Sequence, residues 1–111
     1  MARYWINYTL KSGFTSEGCT PHEEDTLPLL EELTRQGATK IELQLMTDET
    51  MLKKLQDIAD MVKKYRSTGT KRDIELADET VAYFVRVKKK VEIALGCTVY
   101  EKEYHVSIHR F

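Results

Sequence analysis

The chain is 111 residues long, 41% apolar, 32% charged and 9% aromatic, which excludes the disordered regime of few apolar side chains and leaves too little length for two separately cored halves. A single α+β domain over residues 1–111 is therefore expected. Seventeen Lys and Arg against eighteen Asp and Glu give a net charge of −1, so no strong field draws the chain to nucleic acid or anionic lipid.

In chain order, the segment from residue 3 to 10 alternates Tyr4, Ile6, Tyr8 and Leu10 against Trp5, Asn7 and Thr9, the period of a strand. Asn7 and Thr9 also interrupt what a signal peptide would need as an apolar core, and no later run approaches 18 apolar residues. A cytoplasmic protein with no membrane partner is the expectation. Lys11 to Gly18 reads as a polar loop.

Thr20-Pro21-His22-Glu23 combines an N-cap, a helix-opening proline and a capping-box glutamate, so a helix starts near Thr20, or near Asp25 if Pro28 is to sit in the first turn. Leu27, Leu30 and Leu33 line one face, and Gly37 supplies the left-handed stop. Ile41, Leu43 and Leu45 then alternate with Lys40, Glu42 and Gln44, a half-buried strand.

Thr47, followed by Asp48 and Glu49, opens a second helix with Met51, Leu55, Ile58, Val62 and Tyr65 at helical spacing as far as Arg66. Ser67 to Lys71 reads as a loop around Gly69. Residues 81–95 suit either a hairpin or a helix. The acidic start at Asp78 and Glu79, the Phe84, Val87, Val91, Leu95 stripe and the Gly96 stop favour a helix, and a turn of three lysines lacks Gly, Asn or Asp. From Thr98 to Phe111 the chain alternates as a final strand. The order βαβααβ predicts a small two-layer sandwich of about three strands, with the helices packed on one sheet face and the other face open.

Two cysteines, Cys19 and Cys97, are too few for a disulfide framework. Gly13 and Gly18 have the spacing of a phosphate-binding loop, but Cys19 stands where a lysine is needed and Glu17 places negative charge in the cradle. Cys19 beside His22 could be a nucleophile at a helix start; the acids that follow oppose thiolate formation, so a packed cysteine is favoured. His105 and His109 lie four residues apart on one strand face, roughly 13 Å at strand rise, too far to share a zinc. No metal, no cofactor and no catalytic residue is assigned, and an enzyme is disfavoured.

The expected function is a small non-enzymatic protein-binding module, a regulator, adaptor or inhibitor of a larger partner or a homodimer, acting through the open sheet face and an edge strand. Its expected contact residues are Trp5, Asn7, Gln44, His105 and His109. The alternative is a nucleic-acid binder. Residues 51–90 hold eleven cations against six acids, a net +5, while residues 20–50 net −6. Lys63, Lys64, Arg66, Lys71, Arg72, Lys88 and Lys89, at the ends of the second and third helices, would hold the phosphates.

Overall fold

A computed structural model describes residues 3–20 and 22–110. These described residues form a mixed α+β protein with three helices and five strands in two antiparallel sheets. It divides after Met46 into two compact units.

In the first unit, β1 (Tyr4–Leu10) and β2 (Thr15–Cys19) form a hairpin. The segment expected as loop is thus partly strand. Gly13, at φ +90°, closes the turn by donating to the Leu10 carbonyl, while Leu10 N–H donates to the Phe14 carbonyl. A short 3-10 turn at Glu23–Asp25 precedes α1 (Thr26–Arg35), so the helix starts where Pro28 falls in its first turn. Thr20 is buried outside the helix, its hydroxyl 3.1 Å from that of Thr26; Pro21, expected to open the helix, lies outside the described residues. Leu33 is buried, Leu30 is half-buried and Leu27 is exposed, so the apolar face of α1 narrows toward its start.

β3 (Ala38–Leu45) pairs antiparallel with β1, giving the order β2-β1-β3. Trp5 stands opposite Gln44 and Cys19, Asn7 opposite Glu42 and Glu17, and Tyr8 opposite Ile41 and Ser16. One face therefore carries Trp5, Asn7, Glu42 and Gln44, and the other Tyr4, Ile6, Ile41 and Leu43. The helix α1 contacts β1 and β3.

In the second unit, α2 (Asp48–Thr68) begins in a reciprocal cap: Thr50 N–H donates to the Thr47 hydroxyl oxygen, and Thr47 N–H donates to that of Thr50. Met51, Leu55, Ile58 and Val62 are all buried, as their spacing predicts. The helix α3 (Lys71–Leu95) starts earlier than Asp78. Thr70 accepts from the N–H of Asp73 at 3.2 Å, a cap that leaves only Gly69 and Thr70 between the helices. Gly69 takes φ +70°, the left-handed conformation that ends α2 within so short a turn.

The final segment is not one strand. It is a hairpin of β4 (Thr98–Lys102) and β5 (His105–His109), with Lys102 opposite His105. Phe111, expected at its end, lies outside the described residues. The helices α2 and α3 pack on each other, with α2 against β5 and α3 against β4. The helices are therefore shared between two sheets: α1 with the three-stranded one, α2 and α3 with the hairpin.

The two-residue hairpin turn is unusual in chemistry. Glu103 has φ 51° and Tyr104 φ 67°, where such turns favour Asn and Gly. Left-handed backbone costs roughly 1–2 kcal/mol for each ordinary residue. Neighbouring groups offset it: Tyr104 N–H donates to Glu101 Oε1 at 2.7 Å, and the Gln56 side chain bonds both the turn residue Tyr104 and Val106 on β5.

Candidate functional site

The five residues expected at the partner surface are distributed over both sheets. Trp5, Asn7 and Gln44 lie in the three-stranded sheet, on one face as predicted; His105 and His109 lie on β5 of the other sheet. The five therefore do not share one sheet face. Trp5 is fully buried, and its indole N–H donates to Glu17 Oε2 at 3.0 Å on the neighbouring strand. Its alternation was legible, but burial on both sides of β1 was not. Asn7 is half-buried on the central strand and Gln44 is exposed on β3.

His105 and His109 are exposed, with Ser107 between them 3.1 Å from His109 Nε2 and Tyr100 edge-on to the His109 ring at 5.0 Å. Among the described residues no group of three His, Cys, Asp or Glu side chains is placed to hold a metal ion. Gly13 and Gly18 flank and occupy β2, so they form no strand-to-helix phosphate cradle. Cys19 ends β2 with α1 beginning only at Thr26, which removes the helix start that would have activated it. Cys97 is buried after α3, and burial pushes its thiol pKa up.

β3 is an edge of its sheet. Its backbone polarity follows from one bond: Met46 N–H donates to the Arg3 carbonyl at 2.8 Å. Because hydrogen-bonding direction alternates along an antiparallel strand, Gln44, Glu42 and Lys40 also face β1, whereas Ile41 and Leu43 turn their N–H and C=O groups to the outer edge. A register shift at Thr9/Leu10 ends the regular ladder toward Ala38. Leu43 is 46% exposed although its side chain shares a face with buried Ile6. On the opposite face Lys40 Nζ lies 3.1 Å from Glu42 Oε1. Alternation puts Leu43 on the core-facing side of β3, but it marks a face and not where that face stops being covered.

The basic residues separate into two groups. Lys63, Lys64 and Arg66 at the end of α2 and Lys71 and Arg72 at the start of α3 flank the turn at Gly69. Lys88 and Lys89 lie about 25 Å further along α3 at helical rise, so the seven do not form one patch.

The second unit also holds a small recess of about 180 Å³ lined by Ala59, Val62 and Arg66 of α2, Val81 and Phe84 of α3, Glu101 and Tyr104. Arg66 Nη1 donates to the Tyr104 hydroxyl at 3.0 Å, and that bond, with the charges of Asp78 and Glu101, raises the guanidinium pKa. Tyr104 sits there because of the left-handed turn. No sequence signal pointed to it, since Glu-Tyr does not announce a hairpin.

Comparison of the chain with protein-family models, with characterised proteins and with solved structures finds no match.

Proposed function

We propose that this chain is a protein-binding module whose docking element is the outer edge of β3, with Leu43 as its apolar anchor. The observation that carries the reading is the pairing of two properties at one place: outward backbone groups at Ile41 and Leu43, and a large apolar side chain about half exposed beside them. An open edge recruits another strand through main-chain hydrogen bonds, and the neighbouring apolar side chain supplies burial and selectivity. The Lys40–Glu42 pair keeps the polar face of the edge near neutral charge. A partner strand of this chain itself would make a homodimer; a strand of another protein would make an adaptor or inhibitor.

A photo-crosslinking residue in place of Leu43 tests this, with the same residue in place of Ile93 as the control. Ile93, on α3, is 76% exposed, so exposure alone favours the control. Adducts formed at 43 and absent at 93 support the reading, and their masses separate a second copy from another protein. Equal labelling at both positions, or none at 43, refutes it.

A second reading, nucleic-acid binding, is favoured by the five cations Lys63, Lys64, Arg66, Lys71 and Arg72 around the Gly69 turn. It requires a salt-sensitive shift of labelled RNA or DNA that Lys63→Glu with Lys64→Glu weakens. Lys88 and Lys89, at the far end of α3, should contribute little.

A further inference from the structure

We propose that the recess beneath Tyr104 binds a free aliphatic α-amino acid, its side chain entering between Val62, Val81 and Phe84, its carboxylate on Arg66 and its ammonium on Glu101. The site lies wholly within the second unit and is independent of the β3 edge.

Size comes first. The cavity, about 180 Å³, is smaller than the ~300 Å³ at which drug-sized ligands begin to be held, so its occupant is a small molecule. Its floor is apolar: Ala59 and Val62 are buried, and Val81 and Phe84 are half-buried around it. That selects a compact hydrocarbon group.

The rim adds two opposite charges from different elements, Arg66 on α2 and Glu101 on β4. Both are exposed, and both have hydrogen-bonding capacity beyond the bonds that hold Tyr104. A guanidinium has five N–H donors and a carboxylate about four acceptor positions, so each can take a ligand while keeping its Tyr104 bond. A lone anion would meet Glu101, and a lone cation would meet Arg66. A neutral peptide side chain would cover both charges without pairing either, which is costly. A zwitterion with an aliphatic tail satisfies floor and rim together.

The backbone supports a preformed site. Two consecutive left-handed residues that are neither Gly nor Asn persist only where the surroundings over-determine them, and such strain concentrates at ligand sites. Here Gln56, Glu101 and Arg66 together make four hydrogen bonds within the turn and its flank, three of them to Tyr104 itself. Tyr104 is thereby held in the lining of the recess.

The test is a titration of the ¹⁵N-labelled full chain with L-leucine, followed in amide spectra, alongside 4-methylpentanoate, isopentylamine and N-acetyl-leucine amide. Saturable shifts at Val81, Phe84 and Tyr104 with L-leucine are expected, with affinity weaker by roughly tenfold or more for each analogue that lacks a charge. Arg66→Gln and Glu101→Gln should each weaken leucine binding by a similar factor while leaving distant resonances in place. No saturable shift up to about 20 mM leucine, where millimolar binding would register, overturns the proposal. So does equal affinity for N-acetyl-leucine amide, which would identify a pocket for a partner's side chain. Because the analogues are tested on the unaltered protein, a variant that fails to fold does not remove the test.

Discussion

Gln56 Nε2 donates to the backbone carbonyl of Tyr104 at 2.7 Å, joining the middle of α2 to a turn 48 residues later in the chain. The same amide accepts from Val106 N–H through Oε1 at 2.9 Å, so one side chain fixes both the second turn residue and the strand that leaves it. A backbone that is locally unfavourable is held by a residue remote in sequence.

Gln56→Glu keeps an acceptor for Val106 but sets a carboxylate against the Tyr104 carbonyl. A loss of about 1–3 kcal/mol is expected, the range for leaving a partly buried backbone group unsatisfied. Urea unfolding would measure it. An unchanged midpoint would mean that the turn holds itself.

Glu103→Asn addresses the turn from the other side. Asn tolerates left-handed backbone better than Glu does, and Glu103 is exposed at φ 51°. The variant should be more stable, by at most the ~1–2 kcal/mol that left-handed backbone costs an ordinary residue, seen as a higher melting temperature. Tyr104→Gly would also relax φ, but it removes the ring and its bond from Arg66, and with them part of the recess lining.

Arg110 ties the ends of both long helices. Its guanidinium hydrogen-bonds both carboxylate oxygens of Asp48, at the start of α2, and donates to the Leu95 carbonyl at the end of α3 at 2.8 Å. The bond to Arg110 holds the Asp48 carboxyl below its ordinary pKa. A depressed carboxyl contributes stability that is present above its unfolded pKa and lost as pH falls through the folded one. Arg110→Ala should therefore lower the melting temperature at neutral pH. The difference from the parent should shrink on acidification once Asp48 is protonated; a difference independent of pH would exclude the ion pair as its source.

Cys97 is 7% exposed, and its thiol pKa is raised chiefly by burial. Iodoacetamide at neutral pH should spare it in the folded protein and modify it on addition of urea. The thiolate is the reacting species, and both burial and the raised pKa reduce its supply. Rapid modification without denaturant would contradict the burial.

The clearest parts of the fold were legible where one principle acted alone. The Met51, Leu55, Ile58, Val62 stripe defined the buried face of α2 because helical period and cap coincided. The beginning of α3 was missed because Asp78 and Glu79 look like a helix start, while the working cap, Thr70 with Asp73, lies a full two turns earlier. The hairpin at Glu103 and Tyr104 was missed because its turn lacks the usual residues and depends on Gln56.

Local pattern by itself determined the α+β class, the three helices and which side chains share a face of β1 and β3, because period and capping are properties of neighbouring residues. Only the tertiary structure decided that Trp5 is buried and Leu43 exposed, and that Arg66, Glu101 and Tyr104 meet at one recess. Alternation tells which residues point the same way. Cover and convergence depend on elements far apart in the chain, and no local period encodes them.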